Sequence, residues 1–258
     1  MKGVICYFSG TGNTKWVGNE FYKHFQYYGV EMEIFNIESN NHLHLKGKDF
    51  IIIGSPTYMD LPPEIVLNFI KALPNVDKLK TMIYTTGRSR VSSTGETIKR
   101  ELIAKGYDVI SQTTIPMADN FYFKRKKVPS DKFIEELMVR AKDKIKLITE
   151  DFLVEKNNVE RTTLLRIYLG RIRKSIYTSI LPSMSHKITS VKDCIKCGNC
   201  LRNCPKGNIT FEKGHAVFHS NCIMCLRCIY ICPINGIRYR GKKIKQIQKD
   251  IIMTLGLS

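Results

Sequence analysis

The sequence lacks any long uncharged apolar run. No stretch of about 18 apolar residues occurs in its 258 residues, so no membrane-spanning helix is predicted. The apolar start of the chain is too short for the core of a signal peptide, because it turns polar at Ser9. We therefore expect a cytoplasmic protein whose thiols are kept reduced.

Acidic residues are scarce, with 23 Asp and Glu against 41 Lys and Arg, which gives a net charge of +18. Residues 1–150 hold 22 basic and 17 acidic side chains, whereas residues 151–258 hold 19 and 6. The two parts are therefore expected to do different things. Apolar residues at 43% exclude wholesale disorder. No sequence motif of a known nucleic-acid-binding domain accompanies the positive charge, so no nucleic-acid partner is expected.

Short apolar runs alternate with helical periodicity over the first 155 residues. Five strands are predicted at Val4–Phe8, Val30–Ile37, Phe50–Ile53, Met82–Tyr84 and Val109–Ile115. Helices are predicted at Asn13–Tyr28, after Pro62-Pro63, and at about 95–105 and 130–155. This alternation predicts an α/β fold, a doubly wound five-stranded parallel sheet with helices on both faces. Such sheets bind ligands beyond the carboxyl ends of their strands, where loops 9–14, 55–60 and 85–90 would open.

Cysteine is almost absent from the first 193 residues, where Cys6 is the single example. In a predicted strand, Cys6 is expected to be a buried, inert thiol. Eight cysteines then form two runs with the same spacing, Cys-x2-Cys-x2-Cys-x3-Cys-Pro: Cys194, Cys197, Cys200 and Cys204, then Cys222, Cys225, Cys228 and Cys232. In a reducing compartment such a cluster indicates metal binding rather than disulfides.

The spacing also indicates how the cysteines divide between metal sites. Three closely spaced thiolates of one run can hold three irons of a cubane, while the fourth cysteine serves the other cluster. One predicted cluster uses Cys194, Cys197, Cys200 and Cys232. The other uses Cys222, Cys225, Cys228 and Cys204. Structural zinc is the alternative, although zinc sites typically pair two Cys-x2-Cys units across a longer loop.

These two runs resemble bacterial two-cluster ferredoxins over about 50 residues. The resemblance implies two [4Fe–4S] clusters and low-potential, one-electron transfer. It also implies a small pseudo-symmetric α+β domain, which we place at residues 191–240.

The loop after the first strand places small and hydroxyl residues at the start of a helix, an arrangement that favours an anion. It comprises Ser9, Gly10, Thr11, Gly12, Asn13 and Thr14. The P-loop pattern is absent, and a dinucleotide fingerprint is incomplete because Lys15 occupies the third glycine position. A glycine turn without a ligand is the remaining alternative.

The pattern Ser9-Gly10-Thr11-Gly12-Asn13-Thr14 resembles the phosphate loop of flavodoxins, and the likeness extends over roughly the first 150 residues. It implies FMN, with its phosphate among Ser9, Thr11, Asn13 and Thr14. Two further loops then flank the flavin ring: Gly54, Ser55, Pro56, Thr57 and Tyr58, and Thr85, Thr86, Gly87 and Arg88. Tyr58 is the candidate for stacking on the ring.

Several of these residues have plainer alternatives. Tyr58 could be an ordinary surface aromatic. Arg88 and Arg90 could be solvated charges. We assign no role to the segment Asp119-Asn120-Phe121, and an acid–base role for Asp60 is unsupported.

Residues 161–190 contain six Lys and Arg and no acid among regularly spaced apolar residues, which predicts a basic amphipathic helix ending near Pro182. We divide the chain into a flavodoxin-like domain at 1–155, a linker helix at 156–190, the ferredoxin-like domain and a basic tail at 241–258. Packing of the helix within the protein is the simplest expectation, and a weak contact with a membrane surface is the alternative.

Taken whole, the chain resembles a flavodoxin–ferredoxin fusion of anaerobic bacteria and archaea. The resemblance implies an electron carrier relaying electrons between clusters and FMN, with ferredoxin-, flavodoxin- or oxidoreductase-type partners. One alternative is an FMN-dependent reductase of a quinone, metal ion or nitro compound. The other is an electron-transfer module at a membrane surface. No catalytic triad or acid–base pair is evident, so whether the protein is an enzyme stays open.

Overall fold

A computed structural model describes residues 1–39, 41–88, 92–124 and 128–256. Arg90 lies outside these residues. The chain divides into two compact units. The first comprises residues 1–9, 13–118 and 131–174, and the second comprises residues 10–12, 119–130 and 175–258.

The first unit is built on a parallel sheet with strand order β2-β1-β3-β4-β5-β6. The strands are β1 Lys2–Tyr7, β2 Glu31–Asn36, β3 Phe50–Pro56, β4 Leu79–Gly87, β5 Tyr107–Pro116 and β6 Asn158–Val159. The predicted doubly wound parallel sheet is confirmed, with one strand more than expected. That strand, β6, pairs with Ser111 and Gln112 of β5 and is too short to show any sequence periodicity.

Among the described residues, four helices lie wholly within this unit: α1 Asn13–Tyr27, α2 Glu64–Ala72, α3 Thr94–Ile103 and α4 Asp131–Leu153. The apolar stripe predicted on α1 is buried, with Val17, Phe21 and Phe25 fully inaccessible. Buried side chains on α4 recur every three to four residues, and this helix packs against α1. All seven residues of β3 are buried, and β4 and β5 bury polar side chains, such as Thr85 and Thr114, beside their apolar ones.

The strand order places the loops of interest at one edge of the sheet. β1 lies between β2 and β3, and β4 lies on the far side of β3. The strands that follow β1 in the chain are therefore added on both sides of it, with β2 on one side and β3 and β4 on the other. Such a reversal of the strand order is the switch point at which α/β sheets bind ligands. The loops after β1, β3 and β4 all open there.

The basic helix is present as α5, Leu164–Ser185. It does not end at Pro182 but continues by one turn, because proline lacks only its own N–H and its carbonyl still accepts a bond from the His186 N–H at 3.2 Å. In the part of the chain that the structure describes, neither this nor any other helix is long and apolar enough to span a bilayer.

The remaining elements, all in the second unit, are short: β7 Ile188–Ser190, α6 Asn199–Arg202, β8 Ile209–Glu212, β9 His215–Phe218, α7 Arg227–Ile231, β10 Ile237–Tyr239, β11 Lys242–Lys243 and α8 Lys249–Met253. β10 pairs antiparallel with both β7 and β11, and β8 pairs with β9 in a hairpin. The predicted smaller α+β domain is confirmed.

Candidate functional site

The eight clustered cysteines line two recesses in the second unit. Recess A is lined by Cys194, Cys197, Cys200 and Cys232. Recess B is lined by Cys204, Cys222, Cys225 and Cys228. Each recess thus joins three cysteines of one run to the fourth cysteine of the other, and the two sets are those expected from the spacing. Apolar side chains such as Ile237 in A and Phe218 in B complete the walls.

The two recesses are built by a repeated backbone. Six residues with left-handed φ fall into three pairs, each 28 positions apart: Lys196 and Met224, Gly198 and Leu226, Gly207 and Asn235. This conformation is costly for residues other than glycine, so Lys196 and Met224 are held in it by the winding of the cysteine loops. The internal repeat in the sequence is therefore also a repeat in the path of the chain.

Backbone amides point at the cysteine sulfurs in both halves. The amide of Asn208 donates to Cys204 Sγ at 3.3 Å, and at the matching position the amide of Gly236 donates to Cys232 Sγ at 3.1 Å. The amide of Met224 donates to Cys222 Sγ at 3.3 Å. Such bonds stabilise negative charge on sulfur.

Burial makes these thiols hard to ionise without a bound cation. It raises the pKa of Cys200 to about 11 and that of Cys225 to about 12, and it raises the pKa of Cys228 well above its ordinary value. A metal must therefore displace these protons on binding. Four soft sulfur donors in an apolar recess, with amides aimed at sulfur, fit an iron–sulfur cluster.

A buried arginine, missed in the sequence analysis, lies beside recess B. Arg227 is 4% exposed and sits between Cys225 and Cys228 in the chain. Its Nε donates to the Gly10 carbonyl at 3.3 Å and its Nη1 to the Asn203 carbonyl at 3.1 Å. Its charge opposes the effect of burial on the pKa of Cys225.

In the first unit, residues that follow three neighbouring strands meet, as predicted. The hydroxyls of Thr14, after β1, and Thr86, at the end of β4, lie 2.8 Å apart and are buried. The amide of Thr57, after β3, donates to the Thr86 carbonyl at 2.8 Å. A Cβ at Gly87 would lie 3.2 Å from Thr57 Cβ, so glycine lets these two loops approach.

The loop after β1 is divided between the units, with Ser9, Asn13 and Thr14 in the first. Ser9 is buried, and Asn13 Nδ2 donates to the Ala118 carbonyl at 3.1 Å. Among the described residues, Asn13 Oδ1 is buried without a hydrogen-bond partner. An orphaned acceptor of this kind suits a ligand that carries a donor group.

The middle of the same loop, Gly10–Gly12, belongs to the second unit. There the Thr11 hydroxyl accepts a hydrogen bond from Asn120 Nδ2, a residue to which the sequence analysis assigned no role. Gly12 has a φ of +96°, and a Cβ would lie 2.3 Å from the Ile251 carbonyl oxygen, so only glycine fits.

Tyr58 opens a tight turn that is held by an ion pair. The Tyr58 amide donates to the Leu61 carbonyl at 2.9 Å, and the return bond is 3.1 Å. Met59 and Asp60 both have positive φ, 50° and 71°, as a type I′ turn requires. Arg166 of α5 donates to both oxygens of Asp60, at 2.9 and 3.1 Å.

Ser93 also donates to Asp60, through its hydroxyl at 3.1 Å. Asp60 thus fixes the turn that carries half-buried Tyr58, a positional role that the sequence did not reveal. Of the other predicted residues in this loop, Pro56 is buried and Ser55 is fully buried, with its hydroxyl donating to the Pro56 carbonyl at 2.9 Å. Arg88 is exposed.

Comparison with known families decides the nature of the second unit. Residues 186–233 match the family described as "4Fe-4S dicluster domain". The strand order of the first unit is that of the flavodoxin-like doubly wound sheet, extended by β6. The chain therefore joins a flavodoxin-like fold to a 4Fe-4S dicluster domain. No curated protein matches it.

Several solved flavodoxin structures are similar to the N-terminal part of the chain. Flavodoxin 2 from Bacillus cereus is 19% identical, covering 60% of this chain and 99% of its own, with a TM-score of 0.46. The two-electron reduced flavodoxin of Megasphaera elsdenii is 22% identical over 58% and 99%, with a TM-score of 0.43. An archaeal flavodoxin is 18% identical over 58% and 99%, with a TM-score of 0.39.

Proposed function

We propose that the protein transfers electrons between two [4Fe–4S] clusters and one FMN. The observation that carries this proposal is the division of the eight cysteines into two recesses of four. One cluster is held in recess A and the other in recess B, each by three cysteines of one run and one of the other.

The cofactors supply the redox chemistry, since clusters carry single electrons and a flavin exchanges one or two. The chain supplies the surroundings. Apolar walls exclude water from the clusters, and the amides of Asn208, Met224 and Gly236 stabilise the added negative charge of a reduced cluster through its sulfur ligands. Keeping both kinds of centre on one chain raises their effective concentration for each other.

FMN is proposed for the carboxyl edge of the sheet. Its phosphate fits the start of α1, where Ser9 and Thr14 offer hydroxyls and the first turn of the helix favours an anion. Asn13 Oδ1, without a partner in the described residues, can accept from a ribityl hydroxyl. Thr57, Tyr58 and Gly87 line the place of the flavin ring.

The test is anaerobic reconstitution with iron, sulfide and FMN, followed by quantitation and EPR of the reduced protein. We expect about eight irons and one FMN per chain, with the spectrum of two interacting cubanes. Zinc in place of iron would overturn the cluster assignment. Full clusters without flavin would overturn the FMN assignment alone.

Two loop variants sharpen the flavin test. Thr14→Val removes the hydroxyl paired with Thr86, and we expect FMN to be lost while the iron content stays unchanged. Thr113→Val, whose hydroxyl bonds Glu160 at 3.0 Å, is the matched control and should keep its FMN. Equal FMN binding by both variants would argue against a phosphate site in this loop.

The partners we propose are small redox proteins that exchange single electrons with the clusters. Reduction of the holoprotein by a reduced ferredoxin, without steady turnover of a quinone, metal ion or nitro compound, supports the carrier. Sustained turnover of such a small acceptor would make the protein a reductase instead.

A further inference from the structure

Helix α5 presents a large apolar stripe to solvent. In the part of α5 that belongs to the first unit, the exposed side chains, at 40–68% of their full accessibility, are Leu164, Leu165, Tyr168, Leu169 and Ile172. Packing within the protein was the simplest expectation for this stripe, yet only Ile167 of the apolar residues predicted for it is buried, at 3%. Burying such a stripe from water is favourable, so its exposure indicates an external partner.

The opposite face of α5 is anchored, which fixes the direction of the stripe. Arg166 is bound to Asp60 by two hydrogen bonds, Ile167 is buried, and Lys174 donates to the Pro62 carbonyl at 2.9 Å. These contacts lie within the first unit. They keep one side of the helix on the fold and leave the other side open.

Positive charge flanks the stripe on both sides. Successive helical residues are about 100° apart, so Arg171 and Arg173 project to either side of Ile172. Both arginines are exposed, and the structure gives neither of them a carboxylate partner among its described residues. The sequence has no acid between Arg161 and Lys192 that could offset this charge.

We infer that α5 docks on an anionic lipid membrane, with the stripe at the level of the acyl chains and the arginines at the headgroups. A convex apolar ridge with cations along both sides matches a negatively charged lipid surface, which offers a counter-charge on either side of a helix lying in it. The inference goes beyond the proposed electron transfer and does not depend on it.

Flotation with vesicles tests this inference on the reconstituted holoprotein. We expect binding to vesicles of phosphatidylcholine and phosphatidylglycerol, and much weaker binding to phosphatidylcholine alone or at high salt. The double variant Leu165→Glu/Ile172→Glu should bind at least roughly tenfold more weakly. Leu147→Glu, at a 61% exposed position of α4, is the matched control and should bind as wild type does.

Charge is tested separately from apolar contact. Arg171→Gln/Arg173→Gln should weaken binding to the anionic vesicles by about fivefold for each charge removed. Lys142→Gln/Lys146→Gln on the exposed face of α4 is the control and should change little. Unchanged iron content and circular dichroism establish that each variant is folded.

Three outcomes would overturn the inference. One is failure of the holoprotein to float with anionic vesicles, and another is equal binding with and without phosphatidylglycerol. The third is a concentration-dependent dimer in sedimentation equilibrium that Leu165→Glu/Ile172→Glu abolishes, which would assign the stripe to a second copy of the chain.

Discussion

The two cysteine recesses share one backbone and differ in their surroundings. In recess A, Cys197 is exposed and the neighbouring Ile195 is 58% exposed. At the matching positions beside recess B, Cys225 and Ile223 are half-buried, and their neighbours Met224, Leu226 and Arg227 are buried. The two halves therefore share the spacing of the ligands and the φ angles of the backbone. Their side chains differ, and this gives each recess its own solvent exposure and charge.

This difference matters because we propose the same kind of cluster for both recesses. The potential of a cluster depends on net charge, hydrogen bonds to its sulfurs and solvent exposure. An amide donates to one sulfur of recess A, Cys232, and to two sulfurs of recess B, Cys204 and Cys222, and the recesses also differ in exposure and charge. Beside recess A, Cys197 and Arg202 are exposed, whereas the four cysteines of recess B are half-buried and Arg227 is buried.

The largest expected effect is loss of one cluster at a time. Cys197→Ala should lower the iron content from about eight to about four per chain by emptying recess A. Cys225→Ala should remove the same amount from recess B but should lower the melting temperature more, because it empties the more deeply enclosed part of the fold. Iron quantitation and thermal unfolding under argon measure both effects.

Cys6→Ala is the control for these variants and should keep its full iron content. Equal melting temperatures for Cys197→Ala and Cys225→Ala would show that enclosure does not make cluster B the stronger support of the fold.

Access of oxidants should differ between the two single-cluster proteins. Cys225→Ala retains the cluster in recess A, where Cys197 is exposed, and Cys197→Ala retains the one in recess B, where all four cysteines are half-buried. After exposure to air, we expect the visible absorbance of the Cys225→Ala protein to decay several-fold faster, because oxygen and water reach an exposed cluster more readily. Decay in the reverse order would contradict the ranking of the recesses by exposure.

The sequence predicted the cysteine sets and the sheet because both follow from spacing. The spacing of the cysteines is a local feature of the sequence. Strands and helices alternate in the structure as the apolar patterns alternate along the chain. Arg227 was missed because nothing in the string Cys-Leu-Arg-Cys tells a buried charge from a solvated one. The ion pair of Asp60 with Arg166 was missed because its members are 106 residues apart.

The two recesses also differ in the arginine that lies beside each of them. Arg227→Gln removes a buried positive charge beside recess B, which should lower the potential of that cluster because a reduced cluster carries more negative charge. A loss of about 1 kcal/mol corresponds to a shift on the order of 40 mV for one electron. Redox titration followed by EPR measures it.

Arg202→Gln is the matched change beside recess A. Arg202 donates to the Cys197 carbonyl at 2.9 Å but is exposed, so water and salt screen its charge. We expect a shift several times smaller than that for Arg227→Gln. Equal shifts for the two variants would mean that burial does not set the influence of charge on the clusters.

A substitution in the first unit should affect FMN binding without affecting the clusters proposed for the two recesses. Arg166→Gln breaks the ion pair with Asp60 that holds the turn of Tyr58, so FMN should bind roughly tenfold more weakly. The potentials of both clusters should stay at their wild-type values. Lys144→Gln, which removes a different ion pair with Glu160, is the control and should not alter FMN affinity.

The smallest expected effect concerns reactivity of single thiols in the cluster-free protein. Cys6 is completely buried, and burial raises its pKa well above the ordinary value. The thiolate is the reactive form, so Cys6 should resist iodoacetamide at pH 8 while exposed Cys197 is modified. Within recess B, burial also raises the pKa of Cys225, to about 12, so its alkylation should be slower than that of Cys197 and should accelerate as the pH rises. Peptide mapping by mass spectrometry gives the three rates, and faster modification of Cys225 than of Cys197 would show that recess B opens when its cluster is lost.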